Sequence, residues 1–479
     1  MDAVLLLKRL ARPRTPSWSL RALAARPTAA KAEDTCRWSR SLLLLHRQPT
    51  NNIPRCLAYA TATRAFGTSA ACRSKKPASK KKMPPKKNVV EEKMQLGRPG
   101  NNLKIGVVGL PNVGKSTFFN AITKSAVSAE NYPFCTIDPS VSRVAVPDER
   151  FDWLVAQYQP SSRVPAFLSV TDIAGLVKGA AEGAGLGNAF LSHISAVDGI
   201  FHMIRAFDDP DVVHVEGEVN PDRDLEIIHY ELRLKDLAML NKYIGDNQRN
   251  IDRMGTGGSA DDKKKKDEFA MVVKVRDWVA AGNDVRKGEW TNKEIAVINS
   301  QHLLTAKPVT YLVNLSERDY LRKKNKFLPV IKKWIDEHNP GDKLIPFSGD
   351  FETKLASMDD AERAAYLEEI KAVSAFPKII LTGYDSLDLM HFFTAGQGTE
   401  VRGWTCRKKA KMTDAARNVH NDIADSLIQV DVMKFDELKA AGSEAELKAQ
   451  GKLYIRGKDA LIEDGDIVYF RSGLGSAKK

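Results

Sequence analysis

Residues 109–117 read GLPNVGKST, a G-x-x-x-x-G-K-[ST] loop that runs from Gly109 to Ser116. An apolar run, 103–108, precedes it, and residues 116–122 can start a helix. Strand, glycine loop and helix in that order restrict the fold more than any other stretch of the chain. Glycine lets the backbone turn so that successive N–H groups point into one concavity. The helix N-terminus beneath it adds partial positive charge. Such a cradle selects phosphate oxygens, and Asn112, Val113, Gly114, Lys115, Ser116 and Thr117 are its expected contacts. Lys115 is expected to reach the β- and γ-phosphates, and the Ser116 hydroxyl to ligate Mg²⁺. The bland alternative, a glycine turn between a strand and a helix, leaves the motifs downstream without a reason.

Those motifs follow in order. Thr136, in 133–136 (PFCT), stands where a switch threonine closes over the γ-phosphate and completes the Mg²⁺ shell. Residues 172–175 read DIAG at the end of a strand-like run. Asp172 can hold Mg²⁺ through water, and the Gly175 N–H can bind the γ-phosphate. Gly179, Gly183, Gly185 and Gly187 then predict a segment that rearranges on hydrolysis. The position after Gly175, which carries a water-orienting Gln in Ras-like enzymes, is Leu176. Hydrolysis is therefore slow, or another group acts. His202 is a candidate, with a satisfied core histidine as the alternative reading.

Base choice is expected at 314–317 (NLSE), after a strand. GTPases carry N-K-x-D there, and the Asp carboxylate pairs with guanine N1–H and the 2-amino group. Adenine would leave that carboxylate unpaired. Here Glu317 is one methylene longer and Leu315 removes the lysine stem over the base, so guanine selection should be weak. Asn314 can still bond N7, which both purines share, and Ser348, in 346–349 (PFSG), fits the last purine-contacting loop.

The runs Lys104–Val108, 166–170, 199–204, 309–313 and Lys343–Phe347 read as buried parallel strands of a doubly wound α/β sheet at 103–386. Helical periodicity at about 211–300 predicts a helical hairpin inserted into it, with 263–266 (KKKK) as its solvated turn or, alternatively, a contact for an acidic partner or RNA. Short apolar strands around a helix at 413–425 predict a small β-grasp-like module at 387–472, before a tail at 473–479. The net charge of +13 does not make the body a polyanion binder: residues 1–82 hold 18 Lys and Arg against three acids, which leaves the rest slightly acidic. That basic, acid-poor segment reads as a mitochondrial transit peptide, a disordered tail or an upstream stretch outside the natural start, and 83–102 reads as a linker. Two body cysteines, Cys135 and Cys406, lack metal-ligand spacing, and no apolar run reaches the ~20 residues of a membrane helix.

The motifs GLPNVGKST, ENYPFCTIDP, DIAGLVKGA, GLGNAFLSHI, NLSE, FFTAG and EVRGWT together resemble the Obg-like ATPases, also called the YchF family, over residues 83–472. The resemblance implies a preference for ATP over GTP, an inserted helical arm and a C-terminal TGS domain of β-grasp fold. It implies a hydrophobic residue in place of the catalytic glutamine, met by Leu176, and a histidine that helps hydrolysis, aligned with His202. It implies K⁺ stimulation through Asn112, and a cytoplasmic monomer that associates with the ribosome or its RNA in translation or stress regulation. Family members start near Met83, so residues 1–82 keep a mitochondrial location open. A GTPase translation factor and a nucleotide-sensing binding protein with negligible turnover are the rival readings.

Overall fold

The computed structural model describes residues 94–98, 100–101, 103–129, 140–173, 175, 193–254, 259–396 and 398–473. The readings placed on 1–82, Thr136, Leu176 and the glycines from 179 to 187 lie outside these residues. The strands are β1 (Lys104–Val108), β2 (Val141–Ala145), β3 (Ser162–Val164), β4 (Phe167–Asp172), β5 (Gly199–Arg205), β6 (Val309–Asn314), β7 (Lys343–Phe347), β8 (Leu389–Ala395), β9 (Glu400–Arg407), β10 (Leu427–Met433), β11 (Tyr454–Arg456) and β12 (Ile467–Ser472).

The first sheet has the order β2-β4-β1-β5-β6-β7 and is parallel except for β2, which runs antiparallel to β4 at one edge. Every residue of β5 and β6 is buried, as expected of central strands covered on both faces. Strand alternation sends Phe201 and His202 of β5 to opposite faces. Phe118, on the helix Lys115–Ala129, meets Phe201, Phe347 and Phe376 edge-on at 6.4, 5.4 and 5.7 Å between centroids. His202 instead meets Tyr311 of β6 and His229 of the helix Pro221–Arg253. The sequence reading named no strand at β2, whose half-buried VSRVA is an alternating edge strand rather than a continuous apolar run.

Between β5 and β6 stands the helical hairpin. Its first helix, Pro221–Arg253, is capped by Asn220 and opens with a proline and acidic residues. Its second, Ala260–Ala280, starts at a capping box between Ser259 and Asp262. The box places Lys263, Lys264, Lys265 and Lys266 on the first turns of a helix, not in the solvated turn expected from their charge. Leu240, Val272, Val275 and Val279 bury the hairpin's inner face against Trp290, Ile295 and Ile298.

The second sheet has the order β11-β10-β12-β8-β9-β3. The single helix expected at 413–425 is two, Met412–Val419 and Asn421–Asp425, because His420 adopts an extended conformation and caps the second through Nδ1. The last strand, β3, lies in the connection from β2 to β4 and pairs in parallel with β9. The same connection contributes the helix Glu149–Tyr158, whose Phe151, Leu154 and Tyr158 share a core with Phe393, Val401, Met433 and Ile467. Polar groups close this joint: Asp148 bonds His391 at 2.5 Å, and Arg150 pairs with Asp148 at 2.7 Å and Asp464 at 2.9 Å. A boundary at residue 387 therefore does not separate the two sheets cleanly.

Candidate nucleotide site

The glycine loop turns between β1 and the helix Lys115–Ala129, at the carboxyl edge of the first sheet. A side chain at Gly109 would put its Cβ 2.6 Å from the Met203 carbonyl, so the loop is seated on β5. Gly114 has φ +99°, and a Cβ there would strike the Asn314 amide. Asn112 is also left-handed, at φ +59°. Neither conformation is an accident of a loop, because together they turn the chain into the helix, whose first bond runs from Phe118 N–H to the Gly114 carbonyl at 2.9 Å.

Lys115 is buried and donates from Nζ to the Leu110 carbonyl at 2.7 Å. Burial pushes its ammonium down to about 8, although Asp172 opposes the shift. Ser116 Oγ donates to Asp172 Oδ2 at 3.3 Å. Burial raises the Asp172 carboxyl above its ordinary value, against the pull of Lys115 and Ser116. Its Oδ1 is buried and has no hydrogen-bond partner among the described residues. A hydroxyl beside an unpaired carboxylate oxygen is an all-oxygen donor set that fits Mg²⁺. Among the described residues no group of three or more His, Cys, Asp or Glu could hold a metal ion. A Cβ at Gly175 would lie 3.0 Å from Lys115 Nζ and 3.1 Å from Pro111 N, which places the end of DIAG against the loop.

The residues expected on the base side each have protein partners. Asn314 Nδ2 donates to the Val113 carbonyl at 3.0 Å, and its Oδ1 accepts from Gly349 N–H at 2.9 Å. The amide thus braces two loops. Leu315 is buried in the sheet core, and its N–H donates to the Phe347 carbonyl at 2.8 Å. Glu317 opens the helix Glu317–Arg322 and is paired with Lys354. Ser348 is fully buried, its hydroxyl spent on capping the helix Gly349–Leu355. Thr117 and Ser116 are exposed at the mouth, and Val113 is buried beneath it.

His202 is not brought to these groups. Its ring lies 5.7 Å from His229 and 5.5 Å from Tyr311, on the sheet face opposite Phe201. Burial, with the His229 and Arg286 charges, holds it well below 6.5 and so neutral. The core reading is the one this packing carries. The structure puts a different segment beside the loop: Asn112 Nδ2 donates to the Val213 carbonyl at 3.1 Å. His214 follows, bonded through Nε2 to Asp224 at 2.9 Å and through Nδ1 to the Glu216 N–H at 3.2 Å. Sequence reading missed residues 206–214 because nothing in their spacing marks a phosphate contact. The only signal is an arginine ending a mostly apolar strand, at Arg205.

Comparison with known proteins agrees with this geometry. Residues 104–242 match a family model described as a 50S ribosome-binding GTPase, and residues 389–473 match YchF-GTPase_C, described as a protein of unknown function. The chain is 54% identical to Obg-like ATPase 1 of Caenorhabditis elegans, over 82% of this chain and 98% of that protein. It is 53% identical to the Homo sapiens protein of the same name, over 81% and 98%. A solved structure titled as the Schizosaccharomyces pombe YchF GTPase superposes with a TM-score of 0.74 at 50% identity, covering 79% of this chain and 100% of that one.

Proposed function

The chain belongs to the Obg-like ATPase (YchF) family, and on that premise we propose that it is a Mg²⁺-dependent hydrolase of ATP, with GTP the poorer substrate, that works as a nucleotide-controlled switch. One observation carries the base preference: Glu317, the carboxylate that would have to read guanine, is already paired with Lys354. Leu315 lies in the core. Glu317 is then not dedicated to the guanine edge, and adenine leaves it paired.

Lys115 and the loop N–H groups of 112–117 hold the β- and γ-phosphates. Ser116, Asp172 and Thr136 would hold the Mg²⁺, which when bound neutralises charge on the phosphate oxygens. Gly175 and Thr136 close on the γ-phosphate. With leucine at 176, positioning and the Lys115 charge carry the transition state, so turnover is slow. K⁺ beside Asn112 is part of this reading. So is ribosomal or ribosomal-RNA association as a monomer in the cytoplasm, with the mitochondrion as the alternative if 1–82 is a targeting segment. The family description naming the 50S ribosome supports the partner class. Among the described residues no helix is long and apolar enough to cross a membrane.

The test is affinity and multiple turnover of the full chain with Mg-ATP and Mg-GTP, in K⁺ and in Na⁺, with and without ribosomes. Tighter binding and faster hydrolysis of ATP are expected. A clear GTP preference would overturn the base argument and promote a GTPase translation factor. Binding without turnover under every condition would make the chain a nucleotide sensor.

A further inference from the structure

We infer that Arg205 is a positioning residue for the phosphate site: its guanidinium moulds residues 206–213 into the wall that holds Asn112 of the glycine loop. This rests on reading 109–117 as the phosphate site.

Arg205 ends β5 and is among the largest fully buried side chains of the protein. A buried guanidinium is costly unless all its donors are used. Here Nε donates to the Phe207 carbonyl at 3.1 Å and the two terminal nitrogens to Val212 at 2.9 Å and Asp209 at 3.3 Å. Its carbon lies 4.5 Å from the centre of the Phe207 ring. Among the described residues, hydrogen-bond partners are carbonyls of one loop and not a carboxylate. A charge paired with an acid would explain itself as stability. A planar fork spread over three carbonyls within six residues fixes a loop shape.

That shape has a destination. The residue after Val212 offers its carbonyl to Asn112 at 3.1 Å. At the loop's start, Ala206 N–H donates to the Asn314 carbonyl at 2.9 Å, and Arg205 stands beside Asn314 in the β5–β6 register. Asn314 in turn braces Val113. The glycine loop is therefore held from two sides, by Asn314 at Val113 and by the Arg205-shaped loop at Asn112. Beyond Val213, His214 ties the wall to Asp224 on the first arm helix.

The experiment is a double-mutant cycle on the full chain with Arg205→Met and Asn112→Ala, reading ATP turnover, affinity for a fluorescent ATP analogue and melting temperature. Each single variant is expected to lose about tenfold or more in kcat/KM, as a misplaced phosphate contact does. The double variant is expected to lose no more than the worse single, within about twofold. Losses that multiply, or an Arg205→Met chain with normal kcat/KM and a lowered melting temperature only, would overturn the inference. Should Arg205→Met not fold, Arg205→Lys takes its place in the cycle. One ammonium cannot span the three carbonyls, so the same coupled loss is expected, and full rescue by lysine overturns the claim. A wild-type chain that binds no nucleotide would remove the site reading first, a result distinct from either.

Discussion

Asn314 Nδ2 donates to the Val113 carbonyl across 3.0 Å, linking the end of β6 to a loop 201 residues earlier in the chain. The same amide accepts from Gly349. Asn314→Ala leaves a buried carbonyl and a buried N–H unpaired, at about 1–3 kcal/mol each. Affinity for ATP and GTP should fall together, by about tenfold or more. Gly114→Ala should do the same without changing Asn314, since its Cβ would strike that amide from a left-handed backbone. Fluorescent-nucleotide titration checks both. A loss confined to ATP would mean that the amide reads the base instead of bracing the loop.

Nucleotide affinity should depend on alkaline pH through Lys115. Burial brings its ammonium down to about 8 in the free protein. Bound phosphates favour the charged form, so the complex holds a proton that the free protein has lost. Affinity should be level below pH 7.5 and fall above 8, by up to about tenfold per pH unit. Calorimetry at pH 8.5 in buffers of different ionisation enthalpy should show proton uptake that is absent at pH 7. Equal uptake at both would contradict the assignment.

The joint between the sheets should respond to Arg150 and Gly465. Burial alone would raise Asp148, but bonds from His391 and Arg150 outweigh it and hold the carboxyl well below its ordinary range. Its contribution is complete above the unfolded value near 4 and is lost only in stronger acid. Arg150→Ala at neutral pH should cost about 2 kcal/mol, as expected for bonds to a charged group. Gly465, at φ +77° and directed at Arg150, should be intolerant of alanine in the same way. Scanning calorimetry tests both. Unchanged melting in each would mean that the apolar contacts of Phe151 and Leu154 carry the joint alone.

His202→Leu should lower stability by about 1–3 kcal/mol, the range for disturbing a packed polar residue. Turnover per folded molecule should stay close to that of the parent. A fall in kcat at unchanged melting temperature would return the ring to the reaction.

The parallel strands were legible because β5 and β6 are mostly apolar and buried along their whole length, and the P-loop because its spacing is tied to one backbone shape. β2 and β3 were not: the first is a half-buried edge and the second only three residues long, with its partner, β9, 238 positions away. Lysines 263–266 carried a charge signal that the Ser259–Asp262 capping box overrode.

By itself the sequence determined the phosphate cradle, since Gly109, Gly114, Lys115 and Ser116 lie in one short loop and their chemistry is local. It also determined the departure at Leu315 and Glu317 from a guanine-reading pair. Tertiary structure alone decided which way His202 faces, that Glu317 is spent on Lys354, that Arg205 shapes the wall at Asn112, and that 148–164 joins the second sheet. The reason is physical. A backbone conformation is set by near neighbours, whereas a side chain's role depends on which distant groups the packed core brings within hydrogen-bond reach of it.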